Sequence, residues 1–295
     1  MIARVLASLL ILSDTLAYAG EIVELRHGES SATVATDGAR VLSLRLGGRE
    51  VLWQPAQWLF PGGKGSHGGI FICWPWFGSD RPKNLAKHGF ARERVFAVRE
   101  KEIDRLVLGL VADNGTKGIF PHDFDLEVGF SLTTRLSVTI RTRNTGGGSF
   151  EFGGGFHPYL AVGNRDDAVV KGVDGLPYAN GMGEFLPWKG DLRVAAACDG
   201  LFSETRSFGS YEVVDPLLSR RIGLVSRGTN RLAVWNPGMV GDDARKPGAI
   251  GPDGWRRFIC AEPVLMGKGK VRLKPGDSHQ MSLELCLLPM QETYD

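Results

Sequence analysis

The feature that most constrains the fold of this chain is an unbroken alternation of apolar and polar residues over Phe124–Leu132. Successive side chains of a β-strand point to opposite faces, so this pattern predicts a strand that is buried on one face. The same period of two recurs at 41–46, 136–142, 271–273 and 281–285, and no comparably long segment has helical periodicity. The 40 glycines and 15 prolines interrupt the chain at short intervals, as turns between antiparallel strands require. We therefore predict an all-β fold, a β-sandwich of many antiparallel strands.

Length and charge limit the number of domains and the kind of partner. A chain of 295 residues with 43% hydrophobic content can bury a large core, and we expect residues 20–295 to form a single domain. The 35 basic residues nearly balance the 33 acidic ones, and no basic run is interleaved with aromatic residues. This composition argues against nucleic-acid binding and favours a small-molecule partner. We expect the protein to be a monomer.

The first nineteen residues have the three parts of a signal peptide. A short basic start is followed by the apolar run Val5–Leu12 and by Ala17-Tyr18-Ala19, which resembles a cleavage site. The apolar run is far shorter than the roughly 20 residues that a transmembrane helix needs, so we expect no membrane span. We predict a signal peptide at 1–19 and a periplasmic or secreted protein. The alternative is a disordered leader, or a first strand, on a cytoplasmic enzyme.

The four cysteines show no metal-binding spacing. They are scattered through the chain without a Cys-x-x-Cys pair, and Cys73 and Cys260 lie within apolar runs. We interpret them as buried small hydrophobic residues, although an oxidising compartment would permit a disulfide. We expect neither a metal site nor a cofactor.

Three clusters of residues are candidates for chemistry. The first is "GGIFICWPWFG" at 68–78, followed by "KHGFAR" at 87–92, which joins aromatic rings to a histidine and an arginine. Such a surface suits a sugar, because rings stack on its C–H face while charged donors bind its hydroxyls, although a Trp-Pro-Trp sequence by itself is more often core packing. In the second cluster, three glycines precede His157. The third places Glu262 at the end of an apolar run, where a carboxylate must be paired, exposed in a cleft or functional.

Five motifs in this order resemble the aldose 1-epimerase superfamily, and most closely its hexose-6-phosphate mutarotase branch. They are "GGIFICWPWFG", "KHGFAR", "GFHPYLAVG", "LAVWNPG" and "RRFICAEP", and the resemblance extends from Glu21 to Leu287. It implies a galactose mutarotase-like β-sandwich (supersandwich), no metal, and a site on the concave face of one sheet. It also implies an isomerase that interconverts the α and β anomers of a hexose or hexose phosphate.

The resemblance also implies roles for individual residues. The family's catalytic glutamate corresponds to Glu262 and its catalytic histidine to His157, and its substrate contacts fall on Lys87, His88 and Arg92. Ring opening requires a base at the C1 hydroxyl and an acid at the ring oxygen, and Glu262 and His157 would supply them. We expect the two groups to face a common cleft, separated by the width of a hexose. That cleft would be lined by Arg92 and by Trp74 or Trp76, and we expect Trp74 to contact substrate.

The chain departs from the branch pattern at two positions. His67 stands where the phosphate-using branch carries arginine, and histidine lacks the bidentate guanidinium that best binds phosphate. We still expect His67 to contact substrate, with Lys64 as a further source of charge. Arg206 follows Glu204-Thr205 where the family tends to have aspartate, so either one hydroxyl-binding carboxylate is missing or Glu204 replaces it. The histidine at position 67 and the predicted export both favour an unphosphorylated aldose or a carbohydrate end.

Two other functions are compatible with these residues. A catalytically inactive carbohydrate-binding or regulatory β-sandwich would retain the aromatic surface, although it would have little need of an acid–base pair. A glycoside hydrolase would need two carboxylates beside the scissile bond, and the sequence shows no clear carboxylate partner for Glu262.

Overall fold

The computed structural model describes residues 20–60, 65–181, 183–203, 208–239 and 245–290. Within these ranges it contains 22 strands and little helix. The strands are β1 Ile22–His27, β2 Ser30–Ala35, β3 Arg40–Leu46, β4 Arg49–Glu50, β5 Ile70–Cys73, β6 Ala97–Lys101, β7 Arg105–Val111, β8 Phe124–Leu132, β9 Arg135–Asn144, β10 Phe150–Phe152, β11 Gly154–Ala161, β12 Val169–Lys171, β13 Pro177–Asn180, β14 Leu186–Pro187, β15 Leu192–Arg193, β16 Cys198–Ser203, β17 Phe208–Asp215, β18 Arg220–Arg227, β19 Arg231–Asn236, β20 Phe258–Leu265, β21 Val271–Leu273 and β22 Ser278–Leu288. One helical turn, α1 Asn114–Lys117, and three 3-10 turns at Ala91–Glu93, Gly254–Arg257 and Gly267–Gly269 connect them.

The strands form two large antiparallel sheets. An eleven-stranded sheet has the order β1-β2-β3-β5-β11-β20-β19-β16-β13-β14, with β4 paired to β3, and a nine-stranded sheet has the order β15-β12-β17-β18-β22-β9-β8-β7-β6. β10 pairs with β21 alone. The main core lies between the large sheets, where Val128 and Phe130 of one meet Ile72 and Phe156 of the other. The predicted β-sandwich is confirmed.

The strands predicted from alternation are present. β8 spans the predicted segment, and its alternate residues are buried, as half-buried strands require. The other four predicted segments lie within β3, β9, β21 and β22. The predicted signal peptide at 1–19 lies outside the described residues. No helix in the described ranges is long and apolar enough to cross a membrane.

The central strands of the larger sheet are buried on both faces, and their alternation divides the side chains into two sets. On β20, Ile259 and Ala261 join the core between the sheets, whereas Cys260 and Val264 join a second apolar cluster on the opposite face. All eight residues of β20 are buried, which explains the continuous apolar run in the sequence. The face that carries the second cluster also carries the candidate site.

Candidate active site

A cavity of about 560 Å³ opens on the outer face of the larger sheet. It is lined by side chains of β5, β11, β16, β19 and β20 and of the segments 65–67 and 77–93. Its polar side chains include His67, Lys87, His88, Arg92, His157, Asp199 and Glu262, and its rings include Phe71, Phe77, Tyr159 and Trp235. Convergence of titratable groups and aromatic rings in one concave space is typical of a small-molecule site.

His157 and Glu262 meet at the base of this cavity because their strands are neighbours. The β11–β20 register pairs Gly155 with Val264 and Tyr159 with Cys260, so His157 and Glu262 stand opposite each other midway between these pairs. The Nε2 of His157 lies 3.2 Å from the Oε2 of Glu262. The side chains are 6% and 2% exposed, so both groups are almost completely withdrawn from bulk water while they line the cavity.

The glycines before His157 allow this close approach of strands. Gly155 has φ +149°, and a Cβ there would collide with the backbone oxygen of Pro263 on β20. A side chain at this position would push β11 away from β20. The three-glycine sequence therefore sets the spacing that brings His157 to Glu262.

Aromatic rings hold the imidazole of His157 in place. Its ring stacks between Phe71 and Tyr159, with ring centroids 4.3 Å and 4.9 Å away. Phe71 lies opposite His157 in the register of β5 with β11, and Tyr159 is two residues along the same strand. The imidazole therefore cannot rotate far from Glu262.

Burial favours the neutral forms of both groups. Loss of hydration lowers the pKa of His157 well below its usual value, and electrostatic interactions with the neighbouring basic side chains His88 and Arg92 add to this effect. Loss of hydration, with a smaller contribution from Asp199, raises the pKa of Glu262 well above its usual value. A neutral acid beside a neutral imidazole holds the same number of protons as a carboxylate beside an imidazolium. The two residues thus form one coupled acid–base pair with two tautomeric states.

The observed contact corrects the expectation that a space the width of a hexose separates His157 from Glu262. The two side chains are in direct contact. The physical reason is that the C1 hydroxyl oxygen and the ring oxygen are bonded to the same carbon, so an acid and a base that serve them can stand side by side.

His88 lies against His157 from the loop that follows β5. Its ring meets that of His157 edge to face at 5.3 Å, and its Nδ1 lies 3.4 Å from the Sγ of Cys73. Burial, then Arg92 and Lys87, lowers the pKa of His88 to about 3. His88 is therefore a neutral hydrogen-bonding group in the cavity at physiological pH.

Three further predicted substrate contacts, Arg92, Lys87 and His67, also line the cavity. The guanidinium of Arg92 is buried and lies 4.5 Å from the centre of the Phe71 ring, and Lys87 is exposed at the cavity wall. The Nδ1 of His67 lies 2.9 Å from the carbonyl oxygen of Gly248. Because a carbonyl only accepts, Nδ1 must be the donor. The long segment between β19 and β20 thus helps to orient His67.

Family membership follows from the comparison with known proteins. The family model described as Aldose 1-epimerase matches residues 21–286. The chain belongs to the aldose 1-epimerase family. This membership confirms the suspected superfamily and the predicted enzyme class, an isomerase of the mutarotase type.

Individual relatives of this epimerase agree with that membership. A protein of Salmonella typhimurium (strain LT2) named "Putative glucose-6-phosphate 1-epimerase" is 29% identical over 258 residues, which are 83% of each chain. The fold of this chain resembles the crystal structure of "a putative mutarotase" from Salmonella typhimurium. The TM-score is 0.78, with 24% identity over 92% of this chain and 91% of the other. A galactose mutarotase-like protein from Clostridium acetobutylicum has a TM-score of 0.74 and 19% identity, over 92% of this chain and 98% of its own. These two similarities concern the fold.

Trp74 lies outside the cavity of this epimerase, which corrects the prediction that it contacts substrate. Its side chain is completely buried in the core between the sheets, where its ring packs against Phe124 at 4.5 Å. Its Nε1 donates a hydrogen bond to the Oγ1 of Thr142 at 2.9 Å. Trp74 follows Cys73, and adjacent side chains of an extended chain point to opposite faces. Trp76 belongs to the same core, so the core-packing interpretation of the Trp-Pro-Trp sequence is correct.

Several residues of the cavity were not singled out from the sequence. Trp235 and Tyr159 provide aromatic surface, and both lie within quoted motifs. Asp199 of β16 is a second cavity carboxylate in addition to Glu262, although no motif surrounds it. Arg40 is buried behind Phe71, with its guanidinium carbon 5.1 Å from the ring centre. Burial and then Arg92 lower its pKa to about 9. Lys64 and the segment 204–206, to which roles were also assigned, lie outside the described residues.

Proposed function

We propose that Glu262 and His157 are the catalytic pair that opens and re-closes the ring of a hexose, and so interconverts its α and β anomers. The observation that carries this proposal is their 3.2 Å contact at the base of a cavity large enough for a sugar. Both side chains project from neighbouring central strands, so their relative position is rigid.

Ring opening uses the ionised state of the pair. The carboxylate of Glu262 accepts the proton of the C1 hydroxyl while the bond between C1 and the ring oxygen breaks. The electron pair of that bond goes to the ring oxygen, which takes a proton from the imidazolium of His157. The products are an open-chain aldehyde, a neutral carboxylic acid and a neutral imidazole.

Ring closure reverses these transfers after rotation about the C1–C2 bond. The former ring hydroxyl attacks the other face of the aldehyde and gives its proton to His157, while Glu262 returns a proton to the carbonyl oxygen. The neutral state that burial favours is therefore the state that accompanies the open-chain sugar. The cycle conserves protons and electrons, with no net change in the enzyme.

The surrounding groups are proposed to bind the hydroxyls and the rest of the sugar. His88 is in position to hydrogen-bond the ring oxygen or a neighbouring hydroxyl, and Arg92, Lys87 and His67 to bind more distant substituents. Asp199 adds a carboxylate acceptor, and Trp235 and Tyr159 replace Trp74 as the aromatic surface.

We propose an unphosphorylated aldose as substrate, because His67 offers a phosphate no guanidinium. A specific observation favours a second candidate, a phosphorylated hexose. Arg40 and Arg92 both lie against Phe71, and this positive pair would stabilise an anionic substituent. The name of the Salmonella relative, "Putative glucose-6-phosphate 1-epimerase", also refers to a phosphorylated hexose.

The test is to measure anomer exchange by polarimetry or proton NMR with fresh α-glucose, α-galactose and glucose 6-phosphate. We expect acceleration over the spontaneous rate, with kcat/KM higher for a free aldose. A higher kcat/KM for glucose 6-phosphate would select the second candidate. Tight sugar binding in calorimetry without any acceleration would contradict the catalytic proposal and support a binding module.

We further propose that residues 20–295 form one exported monomeric domain, with 1–19 as its signal peptide. The three-part pattern of the leader supports export, and the alternative is a cytoplasmic enzyme with an uncleaved leader. Expression in a bacterium with a secretory pathway, followed by cell fractionation and N-terminal sequencing, tests this. We expect a periplasmic product that begins at Gly20 and has a monomer mass in light scattering. An intact N-terminus in the cytoplasm would overturn the export proposal.

A further inference from the structure

A third potential ligand lies beside the catalytic pair. Cys260 precedes Glu262 by two residues on β20, so both side chains point to the same face of the sheet. Cys260 is a free thiol and completely buried. The imidazole nitrogen of His157, the thiol sulfur of Cys260 and a carboxylate oxygen of Glu262 all lie within 4.8 Å of one another.

One oxygen of the carboxylate in this cluster accepts no hydrogen bond within the described part of the chain, although it stands 3.2 Å from the Nε2 of His157. The Oε2 of Glu262 is buried and accepts no hydrogen bond there, and the Nδ1 of His157 also has no hydrogen-bond partner. A buried polar atom without a partner typically costs about 1–3 kcal/mol. A cation bound by the cluster would give a carboxylate oxygen of Glu262 the partner that it lacks.

The donor types define the cation. One imidazole nitrogen, one thiolate and one carboxylate oxygen are ligands that Zn²⁺ accepts in tetrahedral sites, whereas Mg²⁺ and Ca²⁺ prefer oxygen alone. Bonds of about 2.0–2.3 Å place tetrahedral ligand atoms roughly 3.5 Å apart, so a separation of 4.8 Å would have to shorten by about 1.3 Å. Three protein ligands leave the fourth position for water or a sugar hydroxyl from the cavity.

We infer that His157, Cys260 and Glu262 form an inhibitory site for Zn²⁺ in the base of the cavity. Binding replaces the thiol proton and the carboxylic acid proton, so that one zinc ion enters and two protons leave. The bound ion occupies the lone pairs that accept protons from the sugar, and ring opening stops. Inhibition rests on the proposed function, whereas binding of the metal does not.

The metal test has two readouts on the purified full chain. Co²⁺ reports on binding without any substrate, because a cobalt–thiolate bond produces a charge-transfer absorption band. We expect this band on titration with CoCl₂, its loss when ZnCl₂ displaces the cobalt, and inhibition of anomer exchange over the same range of ZnCl₂. MgCl₂ at equal concentration should produce neither effect.

Two cysteine variants separate this site from other thiols. Cys260→Ser should abolish the charge-transfer band. With each activity normalised to the metal-free rate of the same variant, the ZnCl₂ concentration that halves the activity should rise at least tenfold. Loss of even a supporting contact at a metal site typically costs about 10–100-fold in affinity. The matched control is Cys198→Ser, a half-buried cysteine outside the cluster, which should behave as the unmutated protein does. Cys260→Ala serves if the serine variant fails to fold.

The outcomes distinguish this inference from the proposed function. A cobalt–thiolate band in a protein without mutarotase activity would support the metal site and refute the catalysis. Mutarotase activity that is insensitive to ZnCl₂, with no charge-transfer band, would overturn the metal site and leave the catalysis intact. Equal loss of the band in Cys198→Ser would place the metal elsewhere and overturn the inference.

Discussion

Among single residues, the protonation state of the pair His157 and Glu262 depends on two opposing effects, burial of each group and direct contact between them. His157 and Glu262 are each withdrawn from water, which penalises charge on either one, yet their direct contact lets one charge stabilise the other. A bound sugar needs to shift only this internal balance to reach the ionised state. Strongly shifted pKa values of this kind cluster at functional sites.

The first prediction concerns the base. Glu262→Gln keeps the shape of the side chain and removes its ability to accept a proton, so kcat/KM for anomer exchange should fall by about 10²–10⁴-fold. Polarimetry measures this loss. Glu284→Gln, which alters a glutamate of β22 in the other sheet, is the matched control and should retain full activity. Anomer exchange by Glu262→Gln at the unmutated rate would refute the assignment.

The second prediction concerns coupling between the acid and the base. His157→Asn should also lower kcat/KM by about 10²–10⁴-fold, and the double variant with Glu262→Gln should be little worse than either single variant. The reason is that removal of one member leaves the other without a partner for the coupled proton transfers. If the two losses multiply in the double variant, the residues act independently and the pair is not one unit.

At the scale of elements, strand spacing determines whether the pair can form. β11 lies between β5 and β20 in the larger sheet. Gly155 of β11 has a positive φ, and its Cα lies so close to the backbone of β20 that a Cβ would collide with it. The glycine-rich motif around His157 therefore sets the strand spacing as well as supplying the proposed catalytic histidine. The same strand carries Phe156 into the core on its other face.

The third prediction tests this spacing. Gly155→Ala should destabilise the protein by roughly 1–3 kcal/mol, because the new methyl group meets the backbone of β20 in a strained conformation. It should also lower kcat/KM, since His157 would move relative to Glu262. Chemical denaturation and polarimetry measure the two effects. Gly147→Ala is the control, since a Cβ there meets nothing within 4 Å, and its stability should change by less than about 0.5 kcal/mol. Equal stability of the two variants would contradict the spacing argument.

At the scale of the whole molecule, the sandwich provides both a core and a separate buried site. The core between the two sheets supplies the main apolar packing, which allows the outer face of the larger sheet to hold polar groups out of water. Burial of those titratable groups lowers the free energy of unfolding by an amount that changes with pH, because the folded and unfolded states bind different numbers of protons.

The fourth prediction uses His88 to measure that cost. Its pKa is about 3 in the folded protein and about 6.5 when unfolded, so the unfolded chain binds the extra proton first as the pH falls. The free energy of unfolding should therefore decrease by about 1.4 kcal/mol per pH unit from pH 6.5 down towards 3 on account of this group. His88→Asn should remove this part of the pH dependence in denaturant titrations.

The matched control for this prediction is His27→Asn, because His27 is an exposed histidine at the end of β1, outside the candidate site. Its pH dependence of stability should follow that of the unmutated protein. Identical slopes for His88→Asn and the unmutated protein between pH 6.5 and 4 would show that His88 is not held neutral by burial.

Much of the fold could be predicted because a strand with one buried face shows alternating apolar and polar residues in its own sequence. The alternation in Phe124–Leu132 identified β8 with its bounds, and the alternation at 281–285 identified part of β22. β20 was harder, because burial on both faces removes the alternation and leaves only an apolar run. The motif resemblance drew attention to His157 and Glu262, which periodicity alone did not distinguish.

What the sequence determined by itself was therefore the all-β class, the family and the identities of the candidate acid and base. Only the tertiary structure decided that His157 and Glu262 are in contact, that Trp74 belongs to the core, and that Asp199, Arg40 and Cys260 adjoin the site. The physical reason is that alternation along a strand is a local property of the backbone. The register between strands, in contrast, depends on packing among residues that are distant in the chain, such as those of β5, β11 and β20.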